Sequence, residues 1–378
     1  MDKTEIHAQL EQLQNVFSGD IYLDDTTRIM YATDASAYRE IPAAVTRPKN
    51  AEDIRLLIDF ARNNKTSLIP RAAGTSLAGQ VVGSGIVVDI SKYMNRILEL
   101  NKEEKWVRVE PGVNLDELNL YLKPHGLFFG PETATSSRCL MGGMVGNNSC
   151  GAHSIVYRTT REHTLEVKGF LSDGSEVNFK ALTKTEFDEK CRGDSLEGKV
   201  YRQIKKILSN PENRKEIREQ YPHPDIYRRN NGYAIDILLE TEVFSDTDTP
   251  FNFCKLIAGS EGTLMFMTEI KLNLVPLPPK EQALVCVHCE TLEEAFKGNL
   301  IALKHKPGAV ELMDDIIIAQ TENQLAQKKN RFFIKGNPKA ILIAEFAGET
   351  PEEIEAVTKA MITDMKAAGY GYHYPVIT

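Results

Sequence analysis

Two small-residue segments, about 60 residues apart, hold most of the residue types in this chain that could do chemistry. The first runs Pro70-Arg71-Ala72-Ala73-Gly74-Thr75-Ser76-Leu77-Ala78-Gly79-Gln80. The second runs Gly142-Gly143-Met144-Val145-Gly146-Asn147-Asn148-Ser149-Cys150-Gly151-Ala152-His153. In the first, Ala72, Ala73 and Gly74 let main-chain N–H groups approach an anion, and Thr75 and Ser76 add hydroxyl donors. Such a nest holds a diphosphate without a lysine. The Gly-Lys-[Ser/Thr] of a P-loop is missing,. Gly79, Gly83 and Gly85 do not form G-x-G-x-x-G, which weakens a Rossmann reading,. In the second segment each glycine costs a helix or strand about 0.5–1 kcal/mol. A run of them beside Asn147, Asn148 and Ser149 marks backbone that must approach something flat or charged. The two asparagines also suit positive φ. Together the segments imply a buried, phosphate-bearing cofactor gripped by backbone.

The flanking sequence predicts the elements that position these loops. Apolar spacing at Ile6, Leu10, Leu13 and Phe17 predicts a helix over 3–17,. Asn50 is the expected N-cap of the run Ile54, Leu57, Ile58, Ala61,. Residues 67–70 read as a strand entering the first loop, and 86–90 and 106–110 as further strands,. Leu115, Leu118 and Leu122 repeat at helical spacing. The charged stretch 183–220 reads as helical with a solvated face,. Pro276, Pro278 and Pro279 mark a linker, because prolines deny a sheet its donors,. Beyond it the pattern is strand 281–288, helix 291–304, strand 309–313, helix 314–325, strand 340–346, helix 351–368 and strand 370–377, with Thr291 and Thr350 as N-caps. The mixed order gives an α+β or α/β class. A closing strand with no following element predicts a fragment of a longer polypeptide.

At 378 residues the chain suits two domains,. The net charge of −8 argues against sequence-independent nucleic-acid binding,. No apolar run reaches the ~18 residues that span a bilayer, and the start lacks a signal-peptide pattern,. The six cysteines are too scattered for a disulfide framework, so reduced thiols and a cytoplasmic setting are expected,. Cys286-Val287-His288-Cys289 is a lone C-x-x-C in a strand pattern; with no second pair, a metal role is not expected,.

These residues carry a resemblance. Arg71 to Gln80 is similar to the pyrophosphate loop of the vanillyl-alcohol oxidase/p-cresol methylhydroxylase superfamily, in its glycolate oxidase/D-lactate dehydrogenase branch. Ile86 to Asn95, Pro111-Gly112-Val113, His125-Gly126-Leu127 and Gly130-Pro131 match the middle of that pattern. Gly142 to His153 resembles its second flavin loop, and Gly259-Ser260-Glu261-Gly262-Thr263-Leu264 its third flavin segment. Ala309 to Asp314 looks like the first strand–helix junction of its substrate cap. Asn-Asn-Ser-Cys-Gly-Ala-His is most similar to large fused proteins in which a flavin dehydrogenase half precedes an iron–sulfur half.

The resemblance implies an α+β chain: a two-lobed FAD-binding domain over 1–277 and a partial, ferredoxin-like α/β cap over 278–378. It implies that Pro70, Arg71, Ala72, Ala73, Gly74, Thr75 and Ser76 line the FAD diphosphate. Pro131, Thr135, Gly142, Gly143, Asn147, Gly151 and Ala152 would follow the ribityl chain and ring, with Glu261 and Gly262 beside the cofactor. Relatives that hold flavin covalently use a histidine in or near the first loop; Ala72, Ala73 and Thr75 stand there, so non-covalent FAD is expected. The family's late histidine-rich motif is missing before Thr378, so no residue is assigned as catalytic base and poor turnover by residues 1–378 alone is expected. Iron–sulfur clusters would belong only to a further C-terminal part. Arg228, Arg229 and Tyr233 are candidates for the substrate side or for flavin support.

The implied reaction is oxidation of a D-2-hydroxy acid such as lactate, glycolate or 2-hydroxyglutarate, with electrons passing to a quinone or an iron–sulfur relay. Two alternatives stay open: a same-fold oxidase or reductase acting on another alcohol, a sugar or a peptidoglycan precursor, and a non-catalytic flavin-binding module. Peripheral attachment at the inner face of a membrane fits this reaction class, and a homodimer stays open.

Overall fold

The strands on either side of the first small-residue segment form a sheet whose parallel edge sets where that segment emerges. Leu68–Arg71 and Ala44–Arg47 both pair in parallel with Ile86–Asp89, and Asp20–Tyr22 adds an antiparallel edge. Ile86–Asp89 is buried throughout, as a central parallel strand covered on both faces must be,. In the computed structural model of the chain, the described residues are 3–226, 228–229 and 232–378, so Asn230 and Asn231 of the arginine-rich stretch lie outside them. The chain forms two compact units: residues up to Cys150 with Thr159–Pro276, and Gly151–Arg158 with Leu277–Thr378. Each is mixed helix and sheet, which makes the class α+β,.

In the first unit, the Asn50 side chain caps the helix Ala51–Asn63, accepting from the Asp53 N–H at 3.0 Å. Ile54, Leu57 and Ile58 of that helix form a core with Val88, Ile90 and Phe17. Val88 and Ile90 come from the central strand and its exit, so the sheet is held from the helix side while its carboxyl edge stays free. Arg71 and Asp89 end neighbouring parallel strands, and the first small-residue segment starts there. This is the edge at which open α/β sheets bind ligands.

A second, antiparallel sheet follows the order Ile97–Asn101, Trp106–Val109, Phe266–Asn273, Thr164–Phe170, Glu176–Phe179. Phe266–Asn273 alternates buried and half-buried residues along its whole length, the pattern of a sheet with one face on the core,. The charged stretch 183–220 is not one solvated element. It is three helices, Lys184–Lys190, Leu196–Ser209 and Pro211–Gln220. The middle one buries Tyr201, Ile204 and Leu208. Phe187 is fully buried among the rings of Phe251, Tyr201 and Phe244 at 4.6, 5.4 and 5.8 Å. The charges line the outer face only, and the aromatic stripe beneath them is core.

The second unit is a four-stranded antiparallel sheet in the order Ala309–Asp314, Ala340–Gly348, Glu281–Cys289, Val376–Ile377. With the helices Leu292–Ala302 and Pro351–Ala367, capped by Thr291 and Thr350, this is the ferredoxin-like order. Cys286 and Cys289 fall on opposite faces of their strand. Cys286 packs with Ile318 and Ile341, Cys289 with Ala295 and Met361. They therefore share no ligand site, and burial pushes their thiols up to about 11 and about 12.

Three expected elements come out shorter. The first helix ends at Leu13, and residues up to Phe17 continue as turns. The expected helix over 314–325 is two pieces, Asp315–Gln320 and Leu325–Lys328. Thr321 and Arg331 take the Ile318 carbonyl and end the first piece. The closing strand is only Val376–Ile377 with an isolated bridge from His373 to His288, because Gly369 and Gly371 sit at φ +74° and +83° and Pro375 lacks a donor,.

His288 tests the packing of this unit. The ring is fully buried. Its Nδ1–H donates to the Cys286 carbonyl at 3.1 Å and its Nε2 accepts the Lys335 N–H at 3.3 Å, with the His373 ring 5.0 Å away. Burial holds its pKa below the ordinary 6.5. The unfolded chain therefore takes up a proton first as pH falls, so the stability tied to neutral His288 is complete above about 6.5 and is lost below it,. Urea midpoints measured between neutral and mildly acidic pH should fall below that value, and His288→Gln should flatten the fall; an unchanged slope in the variant would contradict this packing.

Candidate functional site

Both small-residue segments open onto one cavity of about 640 Å³ within the first unit. That lies in the range of ligand sites, about 300–1,000 Å³. Pro70, Arg71, Ala72, Ala73, Gly74, Thr75 and Ser76 line it, together with Thr135, Gly142, Gly143, Asn147, Glu261 and Gly262. Pro131 is buried and is not on the wall. Gly151 and Ala152 belong to the second unit. Thirteen of the sixteen expected site residues thus meet at one wall, and Pro131, Gly151 and Ala152 do not.

The second segment is a helix where a loop was expected. Met141–Asn147 is helical despite Gly142, Gly143 and Gly146, and only the next residue, Asn148, takes φ +58°. The glycines permit close approach rather than turning. A Cβ on Gly142 would sit 2.7 Å from the Pro111 ring, and one on Gly143 would sit 3.0 Å from the Ala72 methyl. The Gly142 N–H donates to the Pro111 carbonyl at 2.8 Å. At the other end the Val145 and Gly146 carbonyls accept from the Gly259 and Glu261 N–H groups at 2.9 and 2.8 Å, which satisfies helix-end acceptors and fixes the third segment,. Helix and segment are so close that a Cβ on Gly146 would meet the Gly262 nitrogen at 3.8 Å.

Arg161 supports this third segment from behind. It is buried and donates to the Lys255 and Ala258 carbonyls at 2.9 and 2.8 Å. Its guanidinium leaves no room for a Cβ on Gly259, which stands at φ +93°. Asn148 accepts the Arg161 N–H at 2.8 Å, joining the helix cap to the same support. Nothing in the sequence spacing marks Arg161. Pro111, Thr133, Cys139, Met144, Ser149 and the run Met265–Met267 also line the cavity unassigned. The Pro111-Gly112 pair was the available signal: Gly112 lies where a Cβ would be 2.5 Å from the Ile90 and Met94 carbonyls.

The wall's electrostatics suit an anion. Arg71 is a half-buried cation whose pKa burial lowers. Among the described residues it has no carboxylate within ion-pair distance, and its only hydrogen bond is a long one, 3.4 Å, to the Tyr31 carbonyl. Glu261, at φ +52°, is shifted the other way: burial raises its carboxyl above the ordinary range, and Asn147 and Gln80 pull it partly back. A carboxyl that resists ionisation repels a neighbouring anion less. Arg228 and Arg229 also line the cavity, with Arg229 paired to Asp236, while Tyr233 bonds Thr263 at 2.7 Å. His125 sits in a turn beside Tyr121, off the wall. His153 pairs with Glu345 at 2.8 Å in the second unit.

These residues fit FAD. The wall offers amides and a guanidinium for a diphosphate, and Gly142, Gly143 and Gly146 put backbone rather than side chains on it,. Comparisons with known proteins agree. A family model described as "FAD binding domain" matches residues 42–180. D-2-hydroxyglutarate dehydrogenase of Pseudomonas putida is 34% identical over 366 residues, covering 95% of this chain and 35% of its own length. Glycolate oxidase subunit GlcD of Bacillus subtilis is 26% identical, covering 92% of this chain and 62% of its own. A solved structure of alkyldihydroxyacetonephosphate synthase matches with a TM-score of 0.64 at 15% identity, over 97% of this chain and 61% of that one, which speaks for the fold alone. The chain spans about a third of the length of the D-2-hydroxyglutarate dehydrogenase it matches. Residues 42–180 match an FAD-binding domain, and FAD is the cofactor that this match and the relatives support.

Proposed function

We propose that this chain is the flavin-binding part of an FAD-dependent dehydrogenase that oxidises a D-2-hydroxy acid, with D-2-hydroxyglutarate the first candidate. The observation that carries the reading is the cavity wall itself: a lysine-free, small-residue cradle whose half-buried Arg71 guanidinium has no carboxylate partner among the described residues, in a chain 34% identical to a D-2-hydroxyglutarate dehydrogenase. In this reading Arg71 to Ser76 hold the diphosphate. Gly142, Gly143 and Asn147 flank the ribityl chain and ring, and Glu261 and Gly262 line the wall beside Gly146. Bound FAD would supply the electron chemistry, as the hydride acceptor for oxidation of the hydroxy acid. The chain's residues bind and orient it and exclude water.

The FAD is held non-covalently. Among the described residues the wall has no histidine or tyrosine; of its two cysteines, Cys139 and Cys150, burial raises the Cys139 thiol, which keeps it a poor nucleophile,. The acceptor is a quinone or an iron–sulfur relay, the setting is cytoplasmic or peripheral to a membrane, and the divide near residue 277 separates flavin domain from cap.

Acid precipitation of the purified protein should release FAD into the supernatant; colour kept in the pellet would defeat the non-covalent reading, and absence of flavin would defeat the whole assignment. Gly143→Val adds an isopropyl group beside Ala72 on the cavity wall, so the variant should fold yet lose flavin at least tenfold more readily, while Cys289→Ser keeps it,. Equal retention by Gly143→Val would place the cofactor elsewhere. In the protein that carries this chain, anaerobic mixing with D-2-hydroxyglutarate should bleach the yellow absorbance faster than D-lactate or glycolate, and L-2-hydroxyglutarate should not bleach it. Bleaching by dithionite but by no hydroxy acid would contradict the proposal.

A further inference from the structure

Arg71 has to keep a cation aimed at the cavity without a carboxylate partner to hold it there, and the neighbouring strand ends show how this is done. Its guanidinium lies over the ring of Tyr31, 5.1 Å from the centroid, and donates to the Tyr31 carbonyl. On its other side it lies against Gly74, where a Cβ would be 2.6 Å from Nη2. The Tyr31 hydroxyl is fixed in turn: it donates to Asp89 Oδ2 at 2.5 Å and accepts from Arg47 Nη2 at 2.8 Å. The second Asp89 oxygen accepts the Ser91 N–H at 2.8 Å, and Arg47 stands 3.3 Å from the carboxylate. Asp89 ends the strand next to Arg71, so its charge would neutralise Arg71 if it were free to turn. It is instead committed to Tyr31, Arg47 and Ser91. Asp34 adds attraction at longer range without forming an ion pair.

An aromatic face attracts a guanidinium without cancelling its charge. A carboxylate in the same place would compete with a diphosphate. Resting on the FAD reading above, we propose that Tyr31 is a positioning residue: clamped by Asp89 and Arg47, it presents its ring to Arg71 and holds that guanidinium toward the FAD diphosphate while leaving its charge available. Tyr31 acts only through Arg71, and it is indifferent to the part of the flavin that carries no phosphate.

The test is a double-mutant cycle on dissociation constants for FAD, with riboflavin, which lacks the diphosphate, as the control probe. Arg71→Ala should weaken FAD roughly 10- to 100-fold, the scale of charge-assisted hydrogen bonds. Tyr31→Leu should weaken it roughly 3- to 30-fold, the scale of a cation–π contact, and should have no further effect once Arg71 is alanine. Tyr31→Phe keeps the ring face and should stay within about threefold of wild type. Riboflavin affinity should be the same in all of them. A Tyr31→Leu loss that persists beside Arg71→Ala, or that extends to riboflavin, makes Tyr31 merely structural and overturns the proposal. Should Tyr31→Leu fail to fold, Tyr31→Met runs the same cycle, because it also removes the ring face and should weaken FAD only while Arg71 is present,. If Arg71→Ala leaves FAD affinity unchanged, the diphosphate is not at this loop, and the reading beneath the proposal fails whatever Tyr31 does.

Discussion

Three segments pack against the glycines of the helix Met141–Asn147, and the placing of the cavity wall in the first unit depends on that closeness. Pro111 lies against Gly142, Ala72 against Gly143, and Glu261-Gly262 against Gly146. Glycine is unfavourable inside a helix by about 1 kcal/mol relative to alanine. Here that cost is offset by contacts only glycine permits. The Pro111 carbonyl takes a donor from the helix start, and the Val145 and Gly146 carbonyls take donors from the segment that carries Glu261. The helix thus sets the distance between the parallel sheet, which supplies Arg71 to Ser76, and the antiparallel sheet, whose strand Phe266–Asn273 follows the third segment.

Most negative groups near the resulting cavity are committed or neutralised, Asp34 with its unpartnered buried Oδ2 being the exception, and among the described residues the half-buried Arg71 has no carboxylate partner. Asp89 is spent on Tyr31, Arg47 and Ser91. Asp236 is spent on Arg229. Glu261 is pushed toward its neutral form by burial. Arg71 keeps its charge over an aromatic face. This arrangement suits a diphosphate, and a low local dielectric strengthens each contact made there,.

Where a single residue type carried the physics, the sequence was legible. The Ala-Ala-Gly-Thr-Ser nest, the Asn50 cap, the buried strand at 86–89 and the strand role of Cys286 and Cys289 all follow from local chemistry. The glycine run at 142–146 was read as backbone approaching something flat or charged and not as a helix, because propensity ranks glycine against helix and the close contacts of its glycines come from Pro111, Ala72 and Gly262, distant in sequence. Arg161 and Tyr31 were invisible for the same reason. Their roles are made by partners at Lys255 and Ala258 in one case and at Asp89 and Arg71 in the other. The charged helices of 183–220 hid their aromatic stripe because Phe187 and Tyr201 lie on different helices and meet only after folding. Gly151 and Ala152 continue the second segment in sequence but fall in another unit, a division that no composition shift announces.

The central claim is that the cradle between Arg71 and Ser76, backed by the glycine face of Met141–Asn147, holds the cofactor's diphosphate. A crystal structure of the protein with FAD bound tests it most directly. The account predicts diphosphate oxygens within hydrogen-bond distance of main-chain N–H groups between Ala72 and Ser76 and of the Arg71 guanidinium, with Arg71 still stacked on Tyr31. A diphosphate held elsewhere, or an Arg71 turned away to pair with Asp89, would contradict it.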